Sequence, residues 1–305
     1  MTGSSLRSES WAGVVLALLL AACRGGGSTP SEAAGAASPA TAAPGGAPSV
    51  DFTEVLAYAR RANAAYQDEA AIRAVVGPGP ILTVANLPGV DVRAFVEVDE
   101  AKNRQWVVVR GTANLKNAAE DAEYTKVDAL ELGAPVHQGF VQDARAVWSF
   151  ARPRLKPGLE TRLTGHSLGG ALAVILAMRL RVDRLPVGRV VTFGQPKVTT
   201  EAGVALFRDL PLLRIVNHDD PVPLLPWETP GAALGGLFRH LGEELRLSDH
   251  GTWQLFAEHR AERYLLTSFV AHLGRENPKE HEMARYLAKL EALAASGARA
   301  GEGPR

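Results

Sequence analysis

Residues 161–180 have the sequence Thr-Arg-Leu-Thr-Gly-His-Ser-Leu-Gly-Gly-Ala-Leu-Ala-Val-Ile-Leu-Ala-Met-Arg-Leu, and this stretch decides the fold class. Its first four residues have the pattern of a short strand, and the apolar run over 171–180 predicts a buried helix. The turn between them carries the spacing Gly-x-Ser-x-Gly in Gly165, His166, Ser167, Leu168 and Gly169. Such a turn is strained, needs glycines beside the serine, and raises the serine hydroxyl above the sheet edge. The stretch therefore predicts a nucleophile elbow, with Ser167 as the nucleophile.

The rest of the chain from residue 51 alternates between strand and helix patterns. Alternating or continuous apolar runs predict strands over 92–98, 105–110, 190–193 and 212–216. Helical spacing predicts helices over 52–66, 141–155 and 278–290, the last opening on a capping box, Asn-Pro-Lys-Glu. Strands that alternate with helices favour a mostly parallel sheet flanked by helices. We therefore expect an α/β fold and one domain over 51–296.

Composition excludes some partners. The 305 residues contain 33 basic and 33 acidic side chains, so the formal net charge is zero and no global basic field can hold nucleic acid. A hydrophobic share of 46% is ample for a full core. The single cysteine, Cys23, cannot form an intrachain disulfide.

The amino terminus has the pattern of an export signal. An apolar run over 11–22 is too short to span a membrane and ends in Leu20-Ala21-Ala22-Cys23, which resembles the lipobox of bacterial lipoproteins. We expect a signal peptide over 1–22, lipidation of Cys23, and a flexible small-residue tether over 23–50. The chain would then be anchored in the bacterial cell envelope, at the outer membrane or cell surface, and 297–305 would be a disordered tail. The alternative is an ordinary secretory signal with a chance cysteine.

A serine nucleophile needs a base, and the base needs a carboxylate to orient it. Hydrolases with this elbow order the three groups serine, acid, histidine. Two aspartates, Asp219 and Asp220, follow the strand over 212–216, and spacing does not choose between them. Five histidines suit the order: His240, His250, His259, His272 and His281. We favour His281, because the first turn of a well-capped helix can present a side chain to a cleft.

Six blocks in this order together resemble the class 3 lipase family, the fungal-type lipases with an α/β-hydrolase fold. They lie at residues 108–112, 136–140, 164–171, 192–196, 217–226 and 281–287, and the resemblance covers about 51–290. It implies that Asp220 and His281 complete the triad. It also implies an oxyanion hole made by the backbone N–H groups of Thr112 and Leu168.

The resemblance further implies a carboxylester hydrolase acting on lipid or other acyl esters, without metal or cofactor. The alternatives are a phospholipase acting on membrane lipids and a catalytically silent envelope lipoprotein on the same fold. Lipases of this family usually carry an apolar lid helix where this chain has residues 113–127, a stretch with several charges. Such a lid would bury little apolar area, so we expect weak interfacial activation.

Overall fold

The computed structural model describes residues 50–112, 125–218, 220–226, 236–249, 251–257 and 277–296. The predictions for Cys23, the tether, the lid segment up to residue 124, Asp219 and the carboxyl-terminal tail lie outside these residues. Within them, no helix has the length and apolar character needed to cross a membrane.

Helices and strands alternate along the chain, as the sequence predicts. The helices are α1 (Phe52–Ala64), α2 (Glu69–Val76), α3 (Gln138–Ala151), α4 (Leu168–Val182), α5 (Glu201–Phe207) and α6 (Met283–Ala295). The strands are β1 (Ile81–Leu87), β2 (Val92–Asp99), β3 (Arg104–Val109), β4 (Lys126–Ala129), β5 (Ala134–His137), β6 (Glu160–His166), β7 (Val187–Phe193), β8 (Thr199–Thr200), β9 (Leu212–Asn217), β10 (Phe238–Arg239), β11 (Glu243–Leu247) and β12 (Trp253–Phe256).

The main sheet has the order β1-β2-β3-β6-β7-β9-β11-β12 in the described residues. Neighbouring strands in the series β3, β6, β7, β9 and β11 pair in parallel. The pairs β1–β2, β2–β3 and β11–β12 towards the two edges are antiparallel. A smaller antiparallel sheet has the order β10-β8-β5-β4. The prediction of an α/β fold with a mostly parallel central sheet is therefore confirmed.

Two apolar clusters fill the two faces of the main sheet. One contains α3 and α4, and the other contains α1 and α6. Helix α4 is buried along nearly its whole length because it is apolar on every side, which suits a helix in the middle of a core. It approaches β6 and β3 so closely that a Cβ atom on Gly165 or Gly169 would collide with backbone atoms. Both elbow glycines are therefore required by packing.

Helix α1 lies on the other face and is fixed by a buried ion pair. The Asp51 side chain caps its amino end by accepting hydrogen bonds from Thr53 N and Glu54 N. Further along, the Arg61 guanidinium donates two hydrogen bonds to the Glu97 carboxylate on β2, at 2.7 and 2.9 Å. Strand β2 is buried along nearly its whole length, and the charge of Glu97 on it is satisfied from α1.

The predicted single helix over 278–290 is wrong. The chain instead forms a 3₁₀ turn (Pro278–His281), an extended residue at Glu282, and only then α6. The Glu280 carboxylate does not close a capping box, because it pairs with Arg285 (2.5 Å) and Lys289 (3.1 Å). His281 therefore ends a short turn, and does not lie in the first turn of a long helix.

Candidate active site

Ser167 lies between β6 and α4 with φ 58° and ψ −131°, a conformation that L-residues rarely adopt. Such a backbone costs about 1–3 kcal/mol and persists where the surrounding structure enforces it. Here the Ser167 N–H donates to Phe193 O at 2.9 Å, and Gly170 N and Ala171 N donate to Ser167 O. The predicted elbow is therefore present in the fold, with Leu168 as the first residue of α4.

The structure brings Asp220 and His281 together, although 61 residues separate them. His281 Nδ1 lies 2.9 Å from Oδ1 and 2.8 Å from Oδ2 of Asp220, and both residues are buried. A carboxylate only accepts hydrogen bonds, so Nδ1 carries a proton and Nε2 keeps its lone pair. His281 Nε2 has no hydrogen-bond partner among the described residues, so its lone pair is available for a proton. A serine–histidine bond often tightens only when substrate binds.

Neutral donors surround the Asp220 carboxylate. The Tyr286 hydroxyl donates to Oδ2 at 2.5 Å, and Val222 N donates to Oδ1 at 2.9 Å. Burial, followed by the negative charge of Asp220, holds the pKa of Tyr286 well above 10, so the hydroxyl remains a donor. The same hydroxyl accepts from Asn217 N at 3.1 Å. This arrangement orients the carboxylate and leaves its negative charge without a neighbouring full cation among these donors.

Gly194 allows the acid and the base to approach each other. A Cβ atom at this position would lie 2.8 Å from Asp220 Oδ2 and 2.9 Å from His281 Cε1. Its φ of +54° is also costly for any other residue. The sequence interpretation placed Gly194 in a matching block but gave it no role.

The candidate oxyanion donors lie on the two sides of Ser167. Leu168 N belongs to the first turn of α4, where N–H groups have no acceptor within the helix. Thr112 follows β3, and its Oγ1 is buried without a hydrogen-bond partner among the described residues. The neighbouring Gly111 is so close that a Cβ there would lie 3.0 Å from Ser167 Cβ. The backbone N–H groups of Thr112 and Leu168 and the Thr112 hydroxyl are therefore the candidate donors for a carbonyl oxygen bound at the serine.

A second histidine lies beside the base. The rings of His166 and His281 have centroids 4.5 Å apart. His166 Nδ1 lies 2.7 Å from the Tyr66 hydroxyl, and Nε2 lies 2.6 Å from the backbone oxygen of His281. Burial, and then the charge of a protonated His281, lower the pKa of His166 well below 6.5. His166 is therefore a neutral neighbour of the base. Tyr66 was missed by the sequence interpretation.

A cavity of about 660 Å³ lies away from these groups, at the opposite edge of the main sheet. Its lining includes Arg189 and Pro211, where β7 and β9 begin. Sites in parallel sheets lie at the carboxyl ends of the strands, where Ser167 and Asp220 are. The described residues contain no cluster of three metal-ligating side chains.

A serine at a strand-to-helix elbow, with an aspartate and a histidine joined at the carboxyl edge of a parallel sheet, defines the α/β-hydrolase class. The model of the family "Lipase (class 3)" matches residues 106–229. Over these residues, which are less than half of the chain, the sequence is similar to the class 3 lipase family.

Individual proteins show the same similarity. The chain is 34% identical over 143 residues to "Secreted mono- and diacylglycerol lipase 1" of Fusarium solani, covering 44% of this chain and 42% of that protein. It is 31% identical over 173 residues to "Lipase" of Rhizomucor miehei, covering 52% and 46% respectively. The chain thus spans less than half of these relatives. A crystal structure of lipase from Rhizopus microsporus var. chinensis superposes with a TM-score of 0.57 at 26% identity, over 68% of this chain and 78% of that one.

Proposed function

We propose that this protein is a serine carboxylester hydrolase, a lipase or esterase, that works through an acyl-enzyme on Ser167. The carrying observation is the buried, hydrogen-bonded pair of Asp220 and His281, whose imidazole centroid lies 4.5 Å from that of His166, the residue before the serine of the strained elbow. The family match and the lipase names of its relatives support an ester substrate.

The geometry supports a mechanism in two halves. His281 Nε2 takes the proton of the Ser167 hydroxyl, whose oxygen attacks the ester carbonyl carbon and forms a tetrahedral intermediate. The intermediate collapses, and His281 returns the proton to the leaving alcohol. A water molecule then attacks the acyl-enzyme and gives a proton to His281, which returns it to the leaving Ser167 oxygen, so that the carboxylic acid and the free serine are released. Asp220 holds the imidazole in the required tautomer throughout.

The oxyanion of each intermediate would be bound by the N–H groups of Thr112 and Leu168. One such donor contributes about 3 kcal/mol to barrier lowering in related sites. The Thr112 hydroxyl, buried without a partner among the described residues, is a candidate third donor.

Ester hydrolysis assays test the proposal. We expect purified protein to hydrolyse p-nitrophenyl esters and the Ser167→Ala variant to lose this activity while keeping its circular dichroism spectrum. Comparing butyrate with palmitate, and an emulsion with a phospholipid vesicle, distinguishes esterase, lipase and phospholipase activity. A wild-type protein inactive on all of these substrates would favour the catalytically silent envelope lipoprotein.

We also propose export and lipid anchoring through Cys23. The apolar run before the only cysteine supports the anchor, and the word "secreted" in the name of the Fusarium solani relative supports export. Mass spectrometry of the mature amino terminus should find a diacylated Cys23. A Cys23→Ser variant released from the membrane fraction supports the anchor, and an unmodified, uncleaved terminus contradicts it.

A further inference from the structure

Among the described residues, no backbone N–H of the helix that follows donates to the backbone oxygen of His281. The 3₁₀ turn ends at His281, and Arg285 N donates to Glu282 O, so the following helix does not use the His281 carbonyl. A buried carbonyl without a donor would be costly. His166 Nε2 lies 2.6 Å from this oxygen and supplies the hydrogen bond. This hydrogen bond therefore ties the backbone of His281 to His166, the residue that precedes Ser167.

The directions of the two hydrogen bonds made by the His166 ring follow from their acceptors. A carbonyl only accepts, so His166 Nε2 carries the proton and Nδ1 of the neutral ring carries a lone pair. The Tyr66 hydroxyl therefore donates to Nδ1, at 2.7 Å. Burial raises the pKa of Tyr66 to about 12, so this proton stays in place near neutral pH. Tyr66 fixes the tautomer of His166.

The other end of this series of hydrogen bonds reaches Gly111, two residues after the end of β3. Gly111 N donates to the Tyr66 hydroxyl oxygen at 3.2 Å, and a Cβ on Gly111 would lie 2.8 Å from that oxygen. The carbonyl carbon of Gly111 is bonded to the nitrogen of Thr112, one of the two candidate oxyanion donors. Hydrogen bonds thus run from Gly111 through Tyr66 and His166 to His281.

We infer that Tyr66 and His166 are positioning residues that hold the oxyanion donor and the base at a fixed distance on opposite sides of the nucleophile. The inference rests on the proposed function and extends it to two residues that do not touch the reacting atoms. The three linked residues come from distant parts of the sequence: Tyr66 and His166 are 100 residues apart, and His281 lies 115 residues further on. Other hydrogen bonds that hold the segment around His281, from His281 to Asp220 and from Asn217 Nδ2 to Glu280 O at 2.7 Å, join it to β9 and the residues after β9 and not to the residues that follow β3. A displacement of about 1 Å can cost about 100-fold in rate.

The chain offers a matched control for Tyr66. Tyr58 lies on α1, is fully buried, and donates its hydroxyl to Arg189 O at 3.1 Å, away from the site. Both Tyr→Phe changes remove one hydroxyl without changing the ring. A purely structural role would make the two variants alike, with a lower melting temperature and an unchanged rate for the folded protein.

The test measures the rate constant for labelling of Ser167 by a fluorophosphonate, which needs no knowledge of the natural substrate. We expect Tyr66→Phe to lower this constant about 10-fold and Tyr58→Phe to leave it within about twofold of wild type. On p-nitrophenyl butyrate, Tyr66→Phe should lower kcat and leave KM nearly unchanged, because no substrate contact is lost.

The donor function of His166 is tested by a pair of substitutions. His166→Leu, which cannot donate, should label about 100-fold more slowly than wild type. His166→Gln, whose amide can reach the His281 oxygen, should recover a large part of this loss. Wild-type labelling rates in folded Tyr66→Phe and His166→Leu overturn this inference alone. A wild-type protein that is not labelled at Ser167 at all removes the proposed function and this inference with it.

Discussion

Two buried carboxylates lie on the same sheet and are satisfied in opposite ways. Glu97 on β2 is bonded to the Arg61 guanidinium, a full positive charge. Asp220, beyond β9, receives the Tyr286 hydroxyl, the Val222 N–H and the His281 ring. A cation neutralises Glu97 permanently, whereas neutral donors orient Asp220 and preserve its charge, which the proposed mechanism needs when His281 takes a proton. We therefore expect the first pair to support stability and the second to support the proposed catalysis.

The largest effect should come from Asp220→Asn. The amide keeps the shape of the carboxylate, but its NH₂ group cannot accept from Nδ1, so the wrong tautomer of His281 is favoured. We expect kcat for ester hydrolysis to fall by about 10⁴-fold, the scale known for this change in such triads. Circular dichroism should show a folded protein. A kcat within tenfold of wild type would contradict the assigned role.

Glu97→Gln should show the reverse pattern. The substitution leaves Arg61 buried with an uncompensated charge, which costs about 3–5 kcal/mol of unfolding free energy for a buried pair. Urea denaturation should detect this loss, while kcat of the folded protein should stay within about twofold of wild type. A large loss of kcat with unchanged stability would show that the two carboxylates do not differ as we describe.

His137, immediately before α3, is another buried ionisable group and gives a pH dependence. Burial lowers its pKa from 6.5 to about 4, so the folded state favours the neutral ring. The stabilisation that the neutral ring gives to the folded state, about 3 kcal/mol of unfolding free energy, is complete above pH 6.5. It is lost as the pH falls from 6.5 towards 4. Denaturation at several pH values should show the decline. In His137→Asn, where asparagine can still cap α3, the decline should be smaller; an unchanged decline would assign it to other groups.

The smallest effect is expected at the exposed pair of Arg60 and Glu291, which joins α1 to α6 at 3.5 Å. Both side chains are about half exposed, so water screens their attraction. Arg60→Ala should change the unfolding free energy by less than about 0.5 kcal/mol, measured by urea denaturation. A loss comparable with that of Glu97→Gln would mean that burial is not what separates the two kinds of pair.

The elbow could be predicted from sequence because its determinants are local. A strand, two glycines, a serine and an apolar helix are consecutive, and the structure places them as expected. The choice of Asp220 and His281 needed the resemblance to a family, because spacing left alternatives open. The structure joins these two residues, and their catalytic roles stay predictions.

The supporting residues could not be predicted, because their partners are distant in the chain. Tyr286 reaches Asp220 across 66 residues, and Tyr66 reaches His166 across 100. The break at Glu282 could not be predicted either, because the capping signal before it is local, whereas Glu280 pairs with Arg285 and Lys289 further along the chain. Periodicity reports which face of an element is apolar, and it does not report which buried polar atoms will meet.

Covalent labelling with a fluorophosphonate, followed by peptide mapping, decides whether the Asp220–His281 pair activates Ser167. We predict a single adduct on Ser167 in the wild-type protein and labelling slower by several orders of magnitude in His281→Ala. An adduct on a different residue, or undiminished labelling of Ser167→Ala, would contradict the assignment.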